Sequence, residues 1–265
     1  MSMPLPVPMR DTAEPATTRD AQTAAAACTV LELRQYALVP GQRDVLIALF
    51  DREFVETQEA VGMHLIGQFR DLDRPDHFIW IRGFPDMRSR AESLQAFYGG
   101  PVWQAHREAA NATMIDSDNV LLLRPAGANA AFATPIAPRA AAGTSSAPSS
   151  RIVAFIYSLA APADEAFREF FDAELAPALA ETGIRPIARL ETEAAENTFP
   201  RLPVRTGEHV FIWFARFDDD AAWHAAETRL AKSPRWTDLR TRLEDVLRAP
   251  PERLVLEPTA RSRLR

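Results

Sequence analysis

Cysteine and lysine are almost absent from this chain. Cys28 is the single cysteine and Lys232 the single lysine among 265 residues. A lone cysteine excludes a disulfide within the chain and a metal cluster built on cysteine. A lone lysine restricts Schiff-base chemistry to Lys232. No run of apolar residues approaches the length that crosses a bilayer, so the sequence predicts no membrane partner.

Strong catalytic motifs are also missing. The sequence has no glycine-rich phosphate loop, no G-x-S-x-G nucleophile turn and no H-E-x-x-H metal motif. The five histidines are scattered, and a metal site would need residues brought together from distant parts of the chain. We therefore predict no metal and no cofactor, and no catalytic residue can be assigned from motifs.

The composition is that of an ordinary globular protein. Apolar residues make up 47% of the chain and charged residues 25%. The formal net charge of −6 predicts no extended basic surface, which excludes nucleic acid as the expected partner. These features together favour a cytoplasmic protein.

Composition along the chain predicts two folded segments with irregular sequence around them. Residues 1–28 are rich in Pro, Ala and Thr and are predicted to form a disordered tail. Residues 126–150, rich in Ala, Pro, Ser and Gly, are predicted to form a flexible linker. The folded segments are then 29–125 and 151–258, followed by a short tail over 259–265.

The two segments resemble each other at two constant offsets. At an offset of 121 residues the matches include Tyr36 with Tyr157, Asp51 with Asp172, and Gly62 with Gly183. At an offset of 133 they include Trp80 with Trp213, Asp86 with Asp219, and Trp103 with Trp236. The longer offset places an insertion within 191–208, a polar stretch that is predicted to be a loop. Repeated matches at fixed offsets indicate an internal duplication.

Each segment is predicted to fold as strand–helix–strand–strand–helix–strand. Alternating apolar residues mark the first strand over 30–37, and helical spacing marks the segment that contains Leu46, Phe50 and Phe54. This order is the ferredoxin-like βαββαβ unit. Such a unit leaves one sheet face uncovered, and pairing the two faces would bury both. The fold class is therefore α+β, with tandem ferredoxin-like repeats paired sheet to sheet as a pseudo-dimeric α/β barrel.

Three stretches of the first segment carry a family resemblance. They are "LELRQYALVPGQRD" (31–44), "GMHLIGQF" (62–69) and the continuous stretch 78–125, from "FIWIRGF" to "VLLLRP". On these residues the segment resembles the NIPSNAP family of the dimeric α/β-barrel superfamily. The second segment keeps "FIWFARFDD" (211–219), "SPRW" (233–236) and "ERLVLEP" (252–258). It holds other residues where the first has Arg34, His64, Arg82 and Tyr98. The resemblance implies the barrel fold and the pairing of the two units, and it implies no single activity.

A polar set in the first segment is the main candidate site. Glu32, Arg34 and Tyr36 share one face of the first strand, and Trp80 and Arg82 share one face of the third. The second segment has Val153, Phe155 and Ala215 at three of these positions. A buried arginine requires a carboxylate or an anionic ligand. Two interpretations follow: a pocket for a small acidic or carbonyl-bearing molecule, or an internal ion pair at the interface between the segments.

Three further residues complete the candidate pocket. Tyr98 and His106 flank the break at Gly99 and Gly100, where a mobile lid or an ordinary polar helix surface is expected. His64 and Tyr36 are candidate proton donors or acceptors.

Two functions from different classes therefore remain open. One is a small-molecule enzyme or binding protein with its site in the first segment, where an arginine would stabilise developing negative charge. The alternative is a non-catalytic scaffold or interaction protein whose tail and linker bind partners. In either case one chain is expected to form an intrachain pseudo-dimer, and further homo-oligomerisation is left open.

Overall fold

Side chains alternate between two buried faces along each long strand of this protein. In the first strand Leu31 and Leu33 face the inside of a barrel, while Glu32, Arg34 and Tyr36 face the helices outside it. The computed structural model describes residues 28–132 and 137–265. The strands in those ranges are β1 (Val30–Leu38), β2 (His64–Asp71), β3 (His77–Phe84), β4 (Met114–Asp116), β5 (Val120–Pro125), β6 (Arg151–Leu159), β7 (Pro186–Thr192), β8 (His209–Phe217) and β9 (Glu252–Pro258).

Helices cover the outer face of the strands in both halves. They are α1 (Arg43–Leu49), α2 (Val55–Ala60), α3 (Met87–Gly99), α4 (Pro101–Asn111), α5 (Glu165–Phe170), α6 (Ala176–Glu181), α7 (Asp220–Ala231) and α8 (Pro234–Glu244). One π-helical turn (Phe50–Phe54) joins α1 to α2, and another (Phe171–Leu175) joins α5 to α6. Gly62 and Gly183 follow these helices with φ of +91° and +89°, as expected for helix C-caps. No helix within the described ranges is both long and apolar enough to cross a bilayer.

Eight antiparallel strands close into a barrel. Their order is β3-β2-β9-β6-β8-β7-β5-β1, and β1 pairs with β3 to complete the ring. The strands of the two halves meet at two junctions, β2 with β9 and β5 with β7. The predicted α/β barrel is thus confirmed, and the two sheets are joined by hydrogen bonds along their edges as well as packed face to face. Closure leaves no unpaired edge among these strands, while β4 extends only the end of β1.

The apolar residues form three clusters that follow from this arrangement. The barrel interior contains side chains from both halves, including Leu33, Ile81, Ile152 and Ile212. The other two clusters lie between the barrel wall and the helices, one in each half. The polar residues predicted as a site belong to the outer layer of the N-terminal half (residues 29–125), and not to the interface between the sheets.

Parts of the segments predicted as linker and C-terminal tail pack against the barrel, contrary to expectation, whereas residues 141–147 are exposed. Phe132 lies in the barrel interior with its ring 5.1 Å from that of Phe214. Leu264 is also buried there, and its backbone N–H donates to Ile66 at 2.8 Å. Single apolar side chains anchor these stretches, and a composition average does not detect them. Cys28 is likewise buried, while the rest of the predicted N-terminal tail and residues 133–136 lie outside the described residues.

Candidate functional site

Strand pairing brings the predicted polar residues together on the outer wall of the N-terminal half. β1 and β3 are antiparallel neighbours, with Glu32 opposite Arg82 and Arg34 opposite Trp80. Residues directly opposite in such a pair point to the same face. The alternation along β1 therefore places Glu32, Arg34, Trp80 and Arg82 in one row beneath α3 and the π-helical turn.

Three guanidinium groups converge on the single carboxylate of Glu32. Glu32 Oε2 accepts hydrogen bonds from Arg34 Nη1 and from Arg82 Nε, both at 2.8 Å. Glu32 Oε1 accepts one from Arg90 Nε at 2.7 Å. Arg82 Nη2 also lies 2.7 Å from Oε2. All four side chains are at most 1% exposed. We call Glu32, Arg34, Arg82 and Arg90 the arginine cluster.

The arginine cluster has an excess of positive charge. Burial opposes ionisation of Glu32, but the field of Arg82, Arg34 and Arg90 outweighs it and holds the pKa of Glu32 far below its usual range. Burial raises the pKa of Tyr36, so its phenol is neutral at pH 7. Three arginines and one ionised glutamate leave a net charge of +2 with almost no access to water. Charge of one sign at such a site is expensive unless a counter-ion accompanies it.

The surrounding groups satisfy part of the cluster's hydrogen-bonding capacity. Arg34 Nε donates to Tyr36 Oη at 2.9 Å, and Arg82 Nη1 donates to Gln58 Oε1 at 3.0 Å. The Arg82 guanidinium also lies 4.9 Å from the centre of the Trp80 ring. Trp80 Nε1 and Arg90 Nη2 are buried and have no hydrogen-bond partner among the described residues. Both are donors, so the site is suited to bind an additional acceptor.

A loop from the C-terminal half (residues 151–258) covers the cluster. Residues 193–208 connect β7 to β8 without helix or strand. Arg90 Nη1 donates to Asn197 Oδ1 at 3.0 Å and to Thr198 Oγ1 at 3.4 Å. The ring of Phe199 stacks on Tyr98, with centroids 6.0 Å apart and planes at 28°. The insertion predicted from the sequence thus becomes the wall of a site in the opposite half.

Comparison with known proteins finds a family match for the half that contains the arginine cluster. The family model that matches the chain does so over residues 31–128. Residues 31–128 match the NIPSNAP family, and we call this segment the NIPSNAP domain. The resemblance noted in the sequence is therefore confirmed for the first half, where every residue of the arginine cluster lies. No curated protein sequence is significantly similar to the chain.

Several solved structures share the fold at low sequence identity. A presumed monooxygenase from Fusobacterium nucleatum aligns with a TM-score of 0.54 and 9% identity, over 88% of this chain and 93% of its own. An anthrone oxidase-like protein aligns with a TM-score of 0.53 and 14% identity, over 88% and 93% of the two chains. A NIPSNAP family protein from Agrobacterium tumefaciens is 22% identical over 38% of this chain and 95% of its own, with a TM-score of 0.35. The first two extend the fold likeness across both halves.

Two of the predicted pocket residues lie away from the arginine cluster. His64, at the start of β2, is near Glu59 and Arg263, and its pKa is lowered chiefly by burial. His106 on α4 is one-third exposed, with Nε2 3.4 Å from Glu53 Oε2. The NIPSNAP domain therefore brings Glu32, Arg34, Tyr36, Trp80, Arg82 and Tyr98 together without either histidine. Within residues 28–132 and 137–265, no group of three or more His, Cys, Asp or Glu side chains could hold a metal ion.

Sequence reasoning missed Arg90, Gln58 and the covering loop. Arg90 lies on the buried face of α3 with Leu94 and Phe97, at helical spacings of four and seven residues. An arginine within an apolar helical stripe was the signal that could have found it. The loop was visible as an insertion, but its length gave no information on which half it would contact.

The C-terminal half has the same backbone arrangement without the charges. Val153 lies opposite Ala215 and Phe155 opposite Trp213, in the register that β1 and β3 use for Glu32 and its neighbours. Trp213 Nε1 donates to Tyr157 Oη at 2.8 Å, whereas the equivalent Tyr36 Oη accepts from Arg34 instead. Trp223 takes the place of Arg90, since Asp86 and Asp219 cap the two helices at the same distance before them. The same fold layer is therefore built with apolar packing in one half and with ions in the other.

Proposed function

We propose that the chain binds a small organic molecule through an acidic or carbonyl group at the arginine cluster of the NIPSNAP domain. The observation that carries this proposal is the buried net charge of +2. Moving an ion from water into the protein interior costs several kcal/mol unless a partner of opposite charge compensates it. An anion bound at Arg90 would provide that compensation. A carboxylate can accept two parallel hydrogen bonds from one guanidinium group.

The same groups could support conversion of the bound molecule. Fixed guanidinium groups stabilise negative charge that develops on an oxygen, and this effect is strong where water is excluded. Tyr36 accepts a hydrogen bond from Arg34 and keeps its own proton to donate. The two fold neighbours described as a presumed monooxygenase and as anthrone oxidase-like are consistent with conversion of a small organic molecule. His64 was also predicted to transfer protons. It lies outside the arginine cluster, so this proposal assigns that role to Tyr36 alone.

Arg82→Met tests the binding site directly. The substitution removes one charge and keeps most of the side-chain volume, while Glu32 retains Arg34 and Arg90. We expect affinity for an acid found in a thermal-shift screen to fall at least about 30-fold, since removing a buried charged partner costs roughly 2 kcal/mol or more. The melting temperature should stay within about 4 °C, which corresponds to roughly 1 kcal/mol. Isothermal titration calorimetry and thermal denaturation measure the two quantities.

Arg124→Met is the matched control, because Arg124 pairs with Glu191 at the junction of the halves and is 47% exposed. Arg124→Met should leave the affinity for the acid and the melting temperature unchanged. A melting temperature that falls by more than about 10 °C in Arg82→Met would show that Arg82 serves structure rather than binding.

We also infer that the two halves are copies of one ferredoxin-like unit and that one chain is the minimal folded unit. The shared register around Glu32 and Val153, and the capping aspartates Asp86 and Asp219, support the duplication. Residues 29–125 expressed alone lose the partners of β2 and β5, which are β9 and β7. We expect that fragment to form a homodimer or to precipitate, as light scattering after size exclusion would show. A stable monomer would contradict the inference, because exposed sheet edges and an uncovered apolar face should not persist.

A further inference from the structure

We propose that Asn197, Thr198 and Phe199 occupy the ligand position of the site and imitate its ligand, which is an aromatic carboxylic acid. We call these three residues the plug. This inference rests on the proposed function, since it assumes that the arginine cluster binds an acid. It goes further in naming the class of acid and the segment that must move to admit it.

The polar part of the plug imitates a carboxylate only in part. Arg90 Nη1 donates to the amide oxygen of Asn197 and to the hydroxyl oxygen of Thr198, while Nη2 has no hydrogen-bond partner in the part of the chain that the structure describes. A carboxylate would place one oxygen on each of these nitrogens. The plug oxygens are also neutral, so they leave the charge of +2 in place. An anionic ligand would therefore accept a hydrogen bond from Arg90 Nη2 and offset the positive charge of the cluster, whereas the plug does neither.

The apolar part of the plug is a phenyl ring in an aromatic slot. Phe199 is 7% exposed and stacks on Tyr98, whose ring lies 5.0 Å from Phe97 and 4.9 Å from Trp103. Stacking of two rings inclined by only 28° favours a flat ring over a branched aliphatic group. The acidic and aromatic contacts lie two residues apart in the chain. A ring that carries a carboxyl group close to it would span both.

The plug is held by few bonds that link it to the NIPSNAP domain. The ends of loop 193–208 are fixed to β5, through Glu193 N–H to Leu122 O and Arg205 N–H to Val120 O, both at 2.9 Å. Between these anchors, Thr198 Oγ1 donates to Met87 O at 3.2 Å, and the plug contacts Arg90 and Tyr98. Leu202 and Val204 also pack against the apolar cluster of the N-terminal half. None of these is a sheet or helix bond of the barrel. The plug can therefore lift away without breaking the ladder, as is typical of segments with low local stability.

The plug also lies over the half that has the charges. Its counterpart region in the N-terminal half is the short turn between β2 and β3, which spans residues 72–76. The apolar site of the C-terminal half has Trp223 and Ala231 where the NIPSNAP domain has Arg90 and Tyr98. The long loop therefore covers the polar site of the N-terminal half. The short turn lies beside the C-terminal half, where apolar side chains fill the equivalent layer.

Phe199→Ala tests the plug in the full chain. If the ring competes with the ligand, the apparent affinity of the wild type is reduced by the small fraction of molecules with the plug displaced. We expect benzoate to bind Phe199→Ala at least about tenfold more tightly than it binds the wild type, as measured by calorimetry. Phe170→Ala, an aromatic truncation in the C-terminal half, is the matched control and should leave benzoate affinity unchanged. Saturating benzoate should also speed amide hydrogen exchange in residues 197–204 of the wild type.

The possible results separate this inference from the proposed function. Benzoate binding that is tighter in Phe199→Ala, with benzamide and cyclohexanecarboxylate both weaker, supports the plug and the aromatic acid. Cyclohexanecarboxylate that binds as tightly as benzoate overturns the aromatic class. Benzoate that binds more weakly to Phe199→Ala, or unchanged amide exchange in 197–204, overturns the plug while the arginine site stands. If none of benzoate, acetate and succinate binds either protein, the proposed function fails and this inference fails with it.

Discussion

Replacing Glu32 by glutamine is expected to lower the free energy of unfolding by about 3–5 kcal/mol, the cost of leaving buried charge without its partner. Glu32 is the only carboxylate that contacts Arg34, Arg82 and Arg90 among the residues that the structure describes. Glutamine keeps the shape of the side chain but removes its charge. The net buried charge would rise from +2 to +3, and one amide oxygen cannot accept from three guanidinium groups as a carboxylate does. Urea denaturation measures the effect.

Glu191→Gln provides the matched control for that experiment. Glu191 also bridges two arginines, Arg124 and Arg168, but these are 47% and 31% exposed. Glu191 itself is 7% exposed, but water reaches both of its partners, so the substitution should cost clearly less than Glu32→Gln. If Glu32→Gln costs no more than Glu191→Gln, the three arginines are not held charged and buried by Glu32, and the electrostatic account of the site is wrong.

Exchanging the arginine cluster for the residues of the C-terminal half is expected to abolish acid binding without unfolding the protein. Each polar residue is replaced by its equivalent in the other half: E32V, R34F, R82A and R90W. Apolar groups that replace a whole buried ion cluster are often neutral or stabilising, by about 1–4 kcal/mol. The C-terminal half already packs Val153, Phe155 and Ala215 in the same strand register, and Trp223 packs against Phe217 there.

The comparison between the fourfold variant and Glu32→Gln is the informative part. Both lose the ionised carboxylate, but only the single variant leaves arginines without a partner. We expect the melting temperature to be unchanged or higher in the fourfold variant and much lower in Glu32→Gln. Acid titrations on the folded fourfold variant should give no heat of binding. A fourfold variant that unfolds would mean that the ions specify the packing of this layer, and one that still binds acids would place the site elsewhere.

Local patterns in the sequence were sufficient for most of the fold. Alternation along 30–37 predicted β1, which the structure extends to Leu38. This prediction succeeds because the period of two along a strand is set by residues next to each other. The packing of Phe132 and Leu264 was missed, since each is a single apolar residue without a neighbouring pattern.

The sequence by itself determined the strands, the α/β barrel and the row of Glu32, Arg34 and Tyr36 on one strand face. Each of these is encoded by spacing along the chain. Only the tertiary structure decided that Arg90 completes the cluster, that His64 and His106 lie outside it, and that Asn197 covers it. Arg90 and Asn197 are 107 residues apart in the chain, and they meet because barrel closure brings the loop of one half over the helix of the other. Contacts of that kind depend on how sheets close and helices pack, and no local periodicity records them.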